Sequence, residues 1–115
     1  MSEHRSRITT HILDATLGRP AGGVEARLEH LTGDDWQLVV SGDTAADGRI
    51  PDFGPADLAA GTYRITFDTA SYFAATDQVG FYPEVSITFT LADPDAHYHV
   101  PLLLSPYAFS TYRGS

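Results

Sequence analysis

The sequence predicts an all-β fold, a sandwich or barrel of short strands, and three observations predict it. Apolar residues alternate with polar ones instead of recurring at helical spacing. The alternating segments, "ITTHIL", "VEARLEHL", "WQLVVSG", "TYRITFDT", "VSITFTLA" and "YHVPLLLS", are rich in β-branched and aromatic residues. The stretches between them supply Gly, Pro or Asp where the chain must reverse. At 115 residues the chain is one ordinary domain, 1–115, large enough for its own core.

Taken in order, residues 1–7 are polar and mixed in charge and read as a flexible arm before the first strand, "ITTHIL". "GRPAGG" turns the chain into "VEARLEHL", where Val24, Ala26, Leu28 and His30 share one face and Glu25, Arg27 and Glu29 the other, as in an antiparallel strand wetted on one side. "TGDD" leads to "WQLVVSG", and "TAADGR" and "PDFGP" lead to "TYRITFDT", in which Tyr63, Ile65 and Phe67 alternate with Arg64, Thr66 and Asp68. "DTASYFAATDQ" breaks the alternation and predicts one short helix, capped by Asp68 or Thr69. "VSITFTLA", the turn "ADPDA" and "YHVPLLLS" complete the strands, and the prolines punctuate the chain without clustering.

Composition narrows the function. A net charge of -8 argues against sequence-independent binding to nucleic acid or to an anionic membrane surface. The absence of cysteine excludes disulfides, thiolate nucleophiles and sulfur-ligated metals. The N-terminal stretch lacks the apolar core of a signal peptide, and no segment approaches the ~20 apolar residues of a membrane span. A cytoplasmic protein is expected.

Histidine is the first place to look for chemistry, because its ordinary pKa lies nearest to working pH. His4, His30 and His97 read as solvated or capping side chains in an arm, at a strand end and in a turn. His11 in "TTHIL" and His99 in "YHVPL" sit inside strands among aliphatic and aromatic neighbours, so each is either a satisfied structural histidine or a working one. "HYH" has the spacing of two metal ligands on one strand face, with His11 available as a third for zinc. Arg49 in "ADGRI" and Arg113 near the end offer planar forks for carboxylate, amide or enolate oxygens, against the ordinary reading of surface arginines balancing excess acid.

Nearly the whole chain beyond the first seven residues resembles the transthyretin-like 5-hydroxyisourate hydrolases. The likeness runs from "THILDATLGRPAGGVEARLE" through "TAADGRI" and "GTYRITFDTASYFAA" to "FYPEVSITFTLADPDAHYHVPLLLSPYAFSTYRGS", and its most specific motif is the closing YRGS at Tyr112, Arg113, Gly114 and Ser115. In that family this motif separates the hydrolase from the hormone carrier of the same fold. The resemblance implies two four-stranded sheets with one short helix, a homotetramer with active sites at the dimer–dimer interface, and no metal or other cofactor. It also implies a catalytic set of His11, Arg49, His99 and Ser115, with Tyr112 and Arg113 joining His11, Arg49 and Ser115 in substrate binding. His97 is outside that set, which weakens the zinc reading.

The implied reaction is hydrolysis of 5-hydroxyisourate, a step of urate breakdown, to 2-oxo-4-hydroxy-4-carboxy-5-ureidoimidazoline. Either His11 or His99 can serve as the base that draws a proton from water, and Arg49 can stabilise the oxyanion. With no cysteine and no evident partner acid, Ser115 is expected to orient substrate or water instead of forming an acyl-enzyme. The rival from another class is a transthyretin-like carrier of a small aromatic ligand, which needs none of these polar groups together; an adhesion module of the same architecture ranks third.

Overall fold

A computed structural model describes residues 7–51 and 53–114. Eight strands and one helix follow in the order β1 (Ile8–Asp14), β2 (Arg19–Pro20), β3 (Glu25–Thr32), β4 (Asp35–Asp43), β5 (Gly61–Phe67), α1 (Thr69–Ala75), β6 (Val85–Leu91), β7 (Tyr98–Ser105) and β8 (Ala108–Thr111). They form two four-stranded sheets, ordered β2-β1-β7-β8 and β4-β3-β5-β6. This is the expected sandwich with its short helix.

The inner faces meet in one apolar core. Ile8 and Ile12 from β1, Val24, Ala26 and Leu28 around β3, Tyr63, Ile65 and Phe67 from β5, and Leu102 and Leu104 from β7 are all buried, as period-two alternation requires. The expected face of β3 holds through Leu28. His30 is only half-buried and stacks on Tyr63 at 4.4 Å. Between Leu28 and Glu29 the pairing slips, Leu28 facing Val40 and Glu29 facing Leu38, so Val39 is the extra residue of a β-bulge. The bulge also explains why Val39 and Val40 are both half-buried.

Two strands escaped the sequence reading, and their dimensions say why. β2 is two exposed residues held only by β1, and β8 is four exposed residues on a sheet edge, so neither shows a buried alternating face. The helix begins where expected: the Asp68 carboxylate accepts from the Ser71 N–H at 3.1 Å and Thr69 is the first helical residue. Of the expected N-terminal arm, 1–7, only Arg7 is among the described residues. Arg7 is tied down, its Nε donating to the Ala56 carbonyl at 2.7 Å and its own carbonyl accepting from Tyr98 N–H; residues 1–6 lie outside the described residues.

One pairing decides where the chemistry sits. β1 and β7, ninety residues apart, run parallel in unbroken register from Ile8 opposite Tyr98 to Asp14 opposite Leu104. Thr9 is thereby set opposite His99 and His11 opposite Pro101, all on the outer face of the first sheet. The β7–β8 register continues past the end of β8, since Leu102 pairs with Thr111 and His99 with Gly114. The gap between these pairs falls at Pro101, which has no N–H to give.

Candidate active site

β1, β7, the 45–49 turn and the chain end converge on the outer face of the first sheet. The cleft they form has a volume of about 520 Å³ and is lined by Thr9, Arg49, His97, His99, Tyr112 and Gly114.

Arg49 is delivered by a tight turn. Gly48 N–H donates to the Ala45 carbonyl, Ala45 N–H to the Arg49 carbonyl, and Ile12 N–H to the Gly48 carbonyl, so the turn is stitched to β1. Gly48 has a φ of +81°, and a Cβ there would strike the Ile12 carbonyl oxygen. Only glycine satisfies both conditions. The Asp47 side chain accepts from Arg49 N–H at 3.0 Å and completes the turn.

His11 and Arg49 form an isolated bridge between β1 and the turn. His11 Nε2 lies 2.8 Å from the Asp47 carbonyl oxygen. A carbonyl only accepts, so Nε2 carries a proton and neutral His11 keeps Nδ1 as an acceptor. His11 is not among the cleft's lining residues, although a proton on it would oppose a second proton on His99.

His99 is half-buried, with Nδ1 2.8 Å from Thr9 Oγ1. Among the described residues nothing hydrogen-bonds its Nε2. Its pKa is held below the ordinary 6.5, first by burial and then by the charges of Arg49, His11 and His97. A neutral imidazole beside a fixed cation can accept a proton, while the guanidinium attracts developing negative charge.

The chain end closes one side of this arrangement. Gly114 N–H donates to the His99 carbonyl at 2.8 Å. Tyr112 is exposed and lines the cleft. Arg113 goes elsewhere: its guanidinium covers the Tyr98 ring at 4.4 Å and lines a second, apolar pocket of about 240 Å³ beside β6, β7 and β8. Ser115 lies outside the described residues.

His11, Arg49, His99 and Tyr112 are thus gathered around one cleft or its supporting turn, and Arg113 is not. His97 and His99, spaced like a pair of zinc ligands, instead both approach Thr9 Oγ1. Among the described residues no three His, Cys, Asp or Glu come together to hold a metal ion. Sequence reasoning missed Thr9, whose position two residues before His11 on one strand face was the available signal. It gave no reason for the glycines at 48 and 114, whose necessity depends on what packs against them.

A family model described as "HIUase/Transthyretin family" matches residues 8–114. 5-Hydroxyisourate hydrolase 2 of Rhizobium meliloti is 46% identical over 115 residues, covering 95% of this chain and 96% of the relative. The solved structure of Klebsiella pneumoniae 5-hydroxyisourate hydrolase superposes with a TM-score of 0.82 at 38% identity, covering 94% of this chain and 98% of the other. That of transthyretin from Sparus aurata gives a TM-score of 0.91 at 32% identity, covering 96% and 97%. With sequence and fold in agreement over almost its full length, the chain belongs to the HIUase/Transthyretin family.

Proposed function

We propose that the protein is a cyclic amidohydrolase that opens a ring amide of 5-hydroxyisourate, giving 2-oxo-4-hydroxy-4-carboxy-5-ureidoimidazoline. The observation that carries this reading is a half-buried imidazole with a lowered pKa, His99, sharing one cleft with the guanidinium of Arg49. The hydrolase names of similar proteins from Rhizobium meliloti and Klebsiella pneumoniae support it.

His99 Nε2 takes a proton from water as the water oxygen attacks the ring carbonyl carbon. Negative charge builds on the carbonyl oxygen, where Arg49 stabilises it. The same cation has already helped keep His99 neutral, so one charge serves both ends of the step. As the tetrahedral centre collapses, the C–N bond breaks and His99 returns its proton to the leaving nitrogen. The new carboxyl group then ionises to solvent. His11, fixed through Nε2–H to the Asp47 carbonyl, offers Nδ1 to a substrate N–H or to the water. Tyr112 at the cleft, with Ser115 one residue beyond the anchored Gly114, orients the ring, and Arg113 steadies the chain end through the Tyr98 ring.

The cleft lies open on the outer face of a sheet, and a homotetramer with sites at its dimer–dimer interface would close it from water. Tyr112, which lines the cleft and is exposed, suits burial against another copy. Among the described residues no helix is long and apolar enough to cross a membrane, and action in the cytoplasm on a freely diffusing substrate is the matching setting. The carrier reading has the transthyretin fold in its favour, but a channel for an apolar ligand has no use for His99, Arg49 and His11 in one place.

Freshly generated 5-hydroxyisourate decays unaided, so its ultraviolet loss should be followed with the wild type and with His99→Ala and Arg49→Ala. Removing the base is expected to lower kcat by about 10²–10⁴-fold and removing the oxyanion partner by about 10²–10³-fold. Equal decay with and without wild-type protein would sink the hydrolase reading, and unchanged rates in both variants would sink the site.

A further inference from the structure

Thr9 Oγ1 stands 2.9 Å from His97 Nε2 and 2.8 Å from His99 Nδ1. A hydroxyl has one proton to give, so it can donate to only one of two ring nitrogens and must accept from the other for both bonds to hold. The two imidazoles are therefore not independent. If Thr9 donates to His97 Nε2, it accepts from His99 Nδ1–H, and neutral His99 then carries its lone pair on Nε2. If Thr9 donates to His99 Nδ1, the proton of neutral His99 is forced onto Nε2.

We propose that Thr9 is a positioning residue whose hydroxyl couples His97 to His99 and fixes which nitrogen of His99 carries the proton. The proposal rests on the hydrolase reading for its catalytic meaning, though not for the coupling itself. The fold builds the contact deliberately. The parallel register of β1 and β7 places Thr9 directly opposite His99. Residues two apart along the strand share a face, so His97 reaches the same hydroxyl from just before β7. The "HYH" triplet thus brackets a hydroxyl.

Catalysis by His99 Nε2 needs the first of the two arrangements, with Nδ1–H donated to Thr9 and the Thr9 proton given to His97. Protonation of Nε2 during the reaction then requires no change at Thr9, because Nδ1–H remains a donor throughout. A valine at position 9 keeps the shape and removes both bonds. A serine keeps the hydroxyl and removes only a methyl group.

The tautomer of His99 can be read directly, without substrate, from two-bond ¹H–¹⁵N correlations of its ring at a pH where it is neutral. The wild type should show the Nδ1–H form, Thr9→Val a mixture, and Thr9→Ser the wild-type form. In kinetics, Thr9→Val should lose about tenfold or more in kcat with little change in KM, and Thr9→Ser should recover most of it. His97→Ala leaves the Thr9–His99 contact in place yet should still shift the His99 tautomer ratio, which decides the matter even where Thr9→Val folds poorly. An unchanged ratio in His97→Ala, or identical spectra for wild type and a folded Thr9→Val, overturns the coupling. A wild type that does not hasten 5-hydroxyisourate decay but shows these tautomer shifts overturns the hydrolase reading alone.

Discussion

Gly114 lies so close against His99 that a Cβ built on it would come 2.5 Å from Cδ2 of the imidazole. The third residue of the YRGS motif is therefore glycine because the chain end must run along the ring while Gly114 N–H holds the His99 carbonyl. Either the ring or the end has to move if a methyl group is added.

Gly114→Ala should consequently lower the rate of 5-hydroxyisourate hydrolysis by about tenfold or more, because displacement of a positioned group by about an ångström is costly to catalysis. The thermal midpoint should change little, since Gly114 lies beyond the last strand and outside the core. Rate and differential scanning calorimetry on the same preparation check this, and a fully active Gly114→Ala would show that the His99 ring position is not critical.

The environment of His99 makes a second expectation with a definite sign. Its pKa is lowered by burial, then by Arg49, His11 and His97, so removing the guanidinium in Arg49→Gln should raise it. In ¹H NMR the His99 midpoint should move to higher pH, and the acid limb of residual kcat/KM should move with it. Arg49→Lys should leave the midpoint near its wild-type position. For stability, the folded protein resists protonating His99 more than the unfolded chain does. This histidine therefore favours unfolding as pH falls through its ordinary 6.5 toward the lower folded value, and costs nothing above.

How much of this was legible in the sequence depends on distance along the chain. The alternation in β3 and β5 and the Asp68 cap are local, and they were read with only small errors at the ends. The bulge at Val39 and the two-residue β2 leave no periodic trace. The parallel pairing of β1 with β7 is a long-range event that alternation cannot reveal, and it is what brings Thr9 to His99. His11, Arg49, His99 and the YRGS end were found through resemblance to a family. Bare chemistry offered them only as candidates, with zinc as one alternative for "HYH", whereas both histidines approach the Thr9 hydroxyl.

The Arg49 turn should be sensitive at its glycine. Gly48→Ala meets both a left-handed backbone and the Ile12 carbonyl, and is expected to cost about 1–3 kcal/mol of stability. Because the same turn carries Arg49 and the Asp47 carbonyl that holds His11, hydrolysis should fall further than stability alone explains. Rates measured well below the denaturation midpoint separate the two effects; a loss of stability with full activity would mean the turn re-forms around the new side chain.

Asp14 supplies the clearest test of what holds the sandwich to its helix. Its carboxylate is buried and accepts from Tyr72 OH at 2.6 Å, from the Leu17 and Thr16 N–H groups, and from Gln78 Nε2 at 3.1 Å. Burial alone would raise its pKa, but these bonds outweigh it and hold the group below the ordinary 3.8. Tyr72 in turn is pushed up to about 12 by burial and by its bond to Asp14, so it stays a donor across the working range. Tyr72→Phe removes one donor from a buried charge and should cost about 1–3 kcal/mol, measured by denaturant unfolding near pH 7. A depressed carboxylate stabilises the fold above its unfolded pKa and loses that contribution as pH falls through the folded value. The gap between wild type and Tyr72→Phe should therefore be full at pH 6–7 and shrink as Asp14 becomes protonated below its ordinary 3.8. A gap that stays constant down to the acid transition would mean the Tyr72 ring, and not its hydroxyl, makes the contribution.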